Sequence, residues 1–312
     1  MYIIRPRYRG MMRIDSHIHI WHRKMLPDLA IKSYMEPMLQ FADEFDGFMD
    51  FQLDADIPFT DYNVALDELS ESMDVTNMDL AIVLATDFEL INEGGMTNEE
   101  YTDWLYETCR NADARLEPFI GVDPNRGASG LKMIEKLVKK YEPRGIKLYP
   151  ATGFYPDDEK HERYWKLIDD LGLIVVTHAG MALPPMDERY CHPVNLIKVA
   201  ERHPDTKIII AHLGGKFHGE LFNVMERCDN VYTDCSALQG WLPSEPGTVL
   251  SRLRETAGRF PKRVVFGTDF PLYDIHCSTM QFVRLIEEGG WGTQQMKDDL
   301  LGNNMAKVLG IR

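Results

Sequence analysis

The stretch LIVVTHAGMALPPMDERYCHPVNLIKVAERHPDTKIIIAHLGG, residues 173–215, contains the repeating unit from which the fold can be read. It opens on an unbroken apolar run, Leu173, Ile174, Val175 and Val176, which ends at His178 beside Gly180. The segment PVNLIKVAERH (193–203) spaces its apolar residues at helical intervals, and then Ile208, Ile209 and Ile210 repeat the run and end at His212 beside Gly214 and Gly215. An unbroken apolar strand has both faces buried, as parallel strands under helices require. Pro193 suits a first helical position, and Pro204 stops the helix before the next strand. The unit is strand, helix, strand, with a polar side chain where each strand gives way to a loop.

Working outward, the same punctuation recurs along the chain: MMRID (11–15), LAIVLAT (80–86), EPFIGVD (117–123), GIKLYP (145–150), NVYTDCS (230–236) and RVVFGTDFP (263–271). Together with the two runs above these make eight strands alternating with helices, and they predict a (β/α)8 TIM barrel. SGLKMIEKLVKKY (129–141) and HERYWKLIDDLG (161–172) carry the one-sided apolar pattern of helices covering a sheet from outside. A doubly wound open sheet would look similar locally. Against it, no strand is followed by a glycine-rich phosphate-cradling turn. Residues 1–312 read as one domain, with 1–11 as a short leader, 21–62 as an inserted lid or substrate wall after the first strand, and 293–312 as terminal helices on the barrel exterior.

Composition narrows the function classes. The hydrophobic fraction is 44%, the charged fraction 27% and the formal charge −15, so the summed field repels phosphates and disfavours nucleic-acid or anionic-membrane partners. No apolar run is long enough to span a bilayer. Five cysteines, an odd number without a C-x-x-C pair, fit neither a disulfide framework nor a thiolate zinc site and suit a reducing cytoplasm.

In a barrel, strand ends converge. His17, His19, Lys147, His178, His212 and Asp269 each follow an apolar run, so residues spread over most of the chain would meet at one rim. His17 and His19, two apart on a strand, point to the same face. An ionised Asp269 behind the apolar VVFGT needs a partner, and a bound cation supplies one. Asp15 would either hold a ligand imidazole or cap a backbone N–H. His161 and His203, on or beside helices, are expected to face solvent. Loop residues Tyr149, Arg189, Trp241 and His276 are candidate substrate contacts, as are His22, Phe154, Tyr155, His192, His218 and Tyr273.

These residues carry a resemblance. DSHIHIW (15–21), GIKLYPATGFYPDD (145–158), VVTHAG (175–180), IIIAHLGG (208–215), NVYTDCS, FGTDFP (266–271) and GNNMAKVLGI (302–311) resemble, in order, the amidohydrolase superfamily, in particular its amidohydrolase 2 branch, which includes aminocarboxymuconate-semialdehyde decarboxylase. Residues 21–75 match least. The resemblance implies that His17, His19, His178 and Asp269 bind one divalent ion, usually zinc, and that His212 is a catalytic or second-ion histidine. Lys147 departs from the decarboxylases. In binuclear members a lysine at that place is carbamylated and bridges two metals; the other readings are an ammonium that holds a substrate carboxylate, or a structural lysine.

The expected activity is metal-dependent hydrolysis of an amide or lactone of a small, carboxylated substrate. Asp269 would take the proton of the attacking water, His212 would polarise the carbonyl, and Lys147 or Arg189 would anchor the carboxylate. The alternative is nonoxidative decarboxylation at the same ion, and the remote alternative a non-catalytic barrel. The expected partner is a small molecule, and homodimers are common in such families.

Overall fold

Each of the eight apolar runs forms a strand in a computed structural model, which describes residues 11–34, 61–274 and 276–311. The strands are β1 (Ile14–Ile18), β2 (Leu80–Leu84), β3 (Leu116–Gly121), β4 (Gly145–Leu148), β5 (Ile174–Thr177), β6 (Ile208–Ile210), β7 (Val231–Asp234) and β8 (Val264–Val265). They lie parallel and in sequence order, with helices between them. Backbone bonds bring the last strand against the first: Ser16 N donates to Phe266 O at 2.9 Å, Asp269 N to His17 O at 2.8 Å and His19 N to Phe270 O at 2.8 Å. The sheet is therefore a barrel rather than an open, doubly wound sheet. The first strand lies later than the run 11–15 suggests, and its register shifts between Asp15 and Ile18; it holds His17, as the H-x-H spacing predicts, while His19 lies one residue past its end.

Alternation along the strands divides the core in two. Ala81, Val83, Val175, Ile208 and Ile210 pack outward with the surrounding helices, whereas Ile14, Leu80, Ile82, Leu84, Ile174, Val176, Ile209 and Val265 form a separate inner cluster. Residues of the same parity further along emerge at the C-terminal rim, which is why Val176 leads to His178 and Val265 to Asp269.

The C-terminal residues occupy a different place from the one expected. Met305, Val308 and Leu309 of the helix Asn304–Leu309 join the inner cluster. Lys207, just before β6, donates to Val308 O at 2.6 Å, and Arg144, just before β4, donates to Leu309 O at 3.1 Å. This helix therefore closes the N-terminal end of the barrel, where apolar side chains would otherwise meet water, rather than lying along its flank. His161 and His203 also differ from expectation, since both are buried. His161 packs edge-on against Phe154 with ring centroids 5.7 Å apart, and His203 lies between Glu162 (3.3 Å) and Asp169 (3.5 Å). Of the proposed leader and insertion, residues 1–10 and 35–60 lie outside the described residues.

Candidate metal and catalytic site

At the C-terminal rim the strand ends surround a cavity of about 370 Å³. His17, His19, Lys147, His178, His212 and Asp269 all line it, and all six are buried. Tyr149, Trp241, Tyr273 and His276 line it as well. Arg189 does not. Its exposed guanidinium pairs with Asp187 at 2.6 Å and lies over the Tyr190 ring, because the short loop helix Glu188–Tyr190 turns it outward. His22, Phe154, Tyr155, His192 and His218 are likewise absent from the lining. His22 packs against Tyr62 and Trp104, His192 reaches Glu220, and His218 bonds Thr256 Oγ1 at 2.9 Å.

The donor set can be derived from hydrogen bonds. A carbonyl oxygen only accepts, so the 2.9 Å contact of His19 Nδ1 with Leu84 O puts the proton on Nδ1 and a lone pair on Nε2. His17 Nδ1 lies 2.8 Å from Asp234 Oδ2, which leaves its Nε2 as the lone-pair nitrogen too. Both Nε2 atoms stand 3.3 Å from Asp269 Oδ1. Ligands about 2.1 Å from one ion at a tetrahedral angle lie about 3.4 Å apart, so the spacing of these three atoms fits a single cation with a position left open. The arrangement has the proportions of a divalent-metal site.

His178 shares the rim but not this group. Its Nε2 lies 3.0 Å from Met181 O and must donate, so its Nδ1 accepts from His212 Nε2 at 3.0 Å. His212 Nδ1 in turn faces Ser236 Oγ at 2.7 Å. A second cluster of potential ligands is His17, His212 and Asp234.

Burial governs the charges. It pushes His178 down to about 3, helped by the nearby Lys147, and pushes His17 and His212 well below the usual imidazole range, so all three are neutral and able to ligate or hydrogen-bond. Burial also lowers Lys147 to about 8, against the attraction of Asp269 and Asp234, while its Nζ lies 3.0 Å from His17 Nε2. The Asp269 carboxyl is raised by burial and held back by His19 and Lys147.

Backbone strain concentrates here. His212 (φ 62°) and Asp269 (φ 63°) take the left-handed conformation that costs a non-glycine residue about 1–2 kcal/mol. Each is held by its own amide: His212 N donates to Asp234 Oδ1 at 2.9 Å and Asp269 N to His17 O at 2.8 Å. Gly267 makes room, since a Cβ there would lie 2.9 Å from His17 Cβ.

Of the two parts open to Asp15, the structure shows the second, a cap on backbone N–H groups. Asp15 accepts from the backbone N–H of His17 (3.1 Å) and from Thr268 Oγ1 (2.7 Å) and N (3.2 Å), which pins β1 to β8 but touches no imidazole. Burial raises its carboxyl to about 7. The imidazole of His17 is held instead by Asp234, a residue that sequence reasoning passed over although it occupies the end of NVYTDCS, the one late strand from which no side chain was chosen. Tyr34, Trp21, Phe88 and Ser236 also line the cavity and were not singled out: Trp21 and Ser236 close the segments DSHIHIW and NVYTDCS, and Tyr34 and Phe88 come from segments without a motif.

A closed (β/α)8 barrel with histidines and an aspartate gathered at its C-terminal rim defines a class of metal-assisted enzymes. The family profile described as amidohydrolase matches residues 14–311, and this chain belongs to that amidohydrolase family. No curated protein matches the chain. Among solved structures, an uncharacterised TIM-barrel protein from Bordetella bronchiseptica is similar with a TM-score of 0.68 and 16% identity, over 96% of this chain and 99% of that one. A provisionally assigned 2-pyrone-4,6-dicarboxylic acid hydrolase from Pseudomonas putida gives 0.61 and 16%, over 96% and 98%. The 5-carboxyvanillate decarboxylase of Novosphingobium aromaticivorans, a mutant with bound manganese and a nitrobenzoic acid, gives 0.63 and 14%, over 97% and 98%. At these identities the structural likeness shows the fold.

Proposed function

We propose that this chain is a metal-dependent hydrolase acting on an amide or lactone of a small, carboxylated substrate. The observation that carries the reading is the triad of His17 Nε2, His19 Nε2 and Asp269 Oδ1 at mutual reach, beside a buried lysine and opening into a cavity of small-molecule size. In this reading His17, His19 and Asp269 hold one divalent ion, zinc being the first choice for a nitrogen and oxygen set, with His178 joining if its ring leaves Met181. When bound, such an ion acidifies water and polarises a carbonyl.

The chain's own groups do the rest. Asp269 accepts the proton of the attacking water through its second oxygen. His212, neutral and a donor at Nε2, hydrogen-bonds the carbonyl oxygen as charge builds there. Lys147 pairs with the substrate carboxylate, a task Arg189 is too remote to share. Tyr149, Trp241 and His276 wall the cavity and exclude water. Trp21, Leu26 and Tyr34, which line the cavity from the described part of the segment 21–62, support that segment as its lid within a single domain. Five buried, unpaired cysteines suit a reducing, cytoplasmic setting.

A second reading, nonoxidative decarboxylation of an aromatic acid, is favoured by the rings of Tyr34, Phe88, Tyr149, Trp241 and Tyr273 around the cavity, which suit a planar substrate. Asp269 would then deliver a proton to carbon as CO2 departs. Elemental analysis of purified protein tests the common premise: one ion per chain is expected, two would point to carbamylated Lys147, and none removes the metal reading. Screening lactones and amides for acid release, against carboxylated aromatics for bicarbonate release, separates the two chemistries. Bicarbonate release alone would overturn the hydrolase reading.

A further inference from the structure

Behind the cavity wall, Asp234 at the end of β7 contacts three of the residues that line the cavity, His17, His212 and Ser236. Its carboxylate is completely buried and divides its two oxygens between two tasks. Oδ1 accepts the backbone N–H groups of His212 (2.9 Å) and Ser236 (3.0 Å), and the Ser236 hydroxyl lies against it. Oδ2 faces His17 Nδ1 at 2.8 Å. One side chain thus touches the imidazole of the H-x-H strand and the strained turn at the end of β6, two segments nearly two hundred residues apart in sequence.

We infer that Asp234 is a positioning residue that sets the proton of His17 on Nδ1, so that the Nε2 lone pair faces the cavity, and that holds the His212 turn in its left-handed conformation. The inference rests on the metal reading of the site for its consequence, but its core concerns a tautomer and a turn. Two backbone N–H groups aimed at Oδ1 demand an acceptor there. In Asp234→Asn the amide oxygen must therefore stay at that position, which puts the NH2 group opposite His17 Nδ1. Nδ1 is then forced to accept, and the imidazole proton moves to Nε2, where it points at Asp269 and blocks ligation. Ser236→Ala is the contrasting change: it removes the hydroxyl that faces His212 Nδ1 at 2.7 Å and His17 Nδ1 at 3.2 Å, while both amide bonds and the shorter Oδ2 contact with His17 remain.

The test is histidine 15N NMR on the full chain, with Mn²⁺ binding followed by electron paramagnetic resonance. In the wild-type protein without added metal, His17 should show a protonated Nδ1 and an unprotonated Nε2. Asp234→Asn should exchange the two signals and weaken Mn²⁺ by about 10–100-fold, the usual consequence of losing a group that orients a ligand. Ser236→Ala loses only the longer of the two contacts to His17 Nδ1 and leaves Asp234 Oδ2 in place, so it should keep the His17 signals and weaken Mn²⁺ by less than Asp234→Asn does. A wild-type His17 protonated at Nε2 overturns the inference without any variant, even if Asp234→Asn fails to fold. Unchanged tautomer and Mn²⁺ affinity in a folded Asp234→Asn protein overturn it as well. If metal-free wild-type protein binds neither Mn²⁺ nor Zn²⁺, the metal reading fails while the tautomer signals still decide the role of Asp234.

Discussion

Asp269 lies 3.3 Å from both histidine nitrogens and, among the described residues, is the one carboxylate lining the cavity, so its charge matters more than its shape. Asp269→Asn keeps the volume and the left-handed turn, yet should lower kcat/KM by at least about 10²–10⁴-fold whichever chemistry operates, as measured with the first substrate found. Near-normal turnover would remove the aspartate from the mechanism. His218, away from the ion-binding group, offers a stability test. Burial, with Arg252 and Arg259 nearby, lowers its imidazole from 6.5 to about 4. Below about pH 6.5 the unfolded chain takes up a proton that the folded chain refuses, so this contribution is intact above 6.5 and is lost as the pH falls towards 4. Urea midpoints should fall from pH 7 to pH 5, and less steeply in His218→Gln; equal slopes would show that another group titrates. At this scale the meeting of His17, His19 and Asp269 at one rim was legible in the sequence, because their strand-end positions place them there. The part of Asp234 was not, because an aspartate behind a ligand leaves no spacing signal of its own.

The elements are set by alternation and by close approach. The strands emerge from unbroken apolar runs, and their parity carries Lys147, His178 and Asp269 inward without further instruction. Where a residue faces depends on phase, however, and β1 illustrates the limit: its register shift at Asp15 cannot be seen in IDSHI. The π-helical turn Asp299–Asn303 is another case. It approaches the entry to β1 so closely that a Cβ on Gly302 would lie 1.7 Å from Met12 O, and Phe266 N donates to Leu300 O at 2.9 Å from the same turn. Gly302→Ala should therefore push the turn off β1 and β8 and cost about 1–3 kcal/mol in chemical denaturation. A loss below about 0.5 kcal/mol would mean that the turn shifts freely.

For the whole molecule, closing the barrel at one end and loading it at the other should both register as stability. Met305 is fully buried among Ile14, Leu80, Val265 and their neighbours, so Met305→Ala should cost about 2–5 kcal/mol, read as a lower urea midpoint with an unchanged slope. Removing the ion with a chelator should abolish turnover and lower the melting temperature, by an amount corresponding to about 4 kcal/mol where free metal stood a thousandfold above its dissociation constant. An unshifted melting curve would show that the ion contributes nothing to the folded state. By itself the sequence determined the number, order and parallel sense of the strands, since apolar runs longer than a helical stripe is wide must be buried on both faces. It also marked six of the polar side chains that gather at the rim, because groups behind apolar runs would otherwise be stranded without water, though not Asp234. Only the tertiary structure decided which of them meet. That Asp234 and not Asp15 holds His17, that His178 bonds Met181 and His212, that Arg189 turns to solvent and that the last helix plugs the barrel all follow from ring rotations, register and loop direction, each governed by contacts between segments remote along the chain.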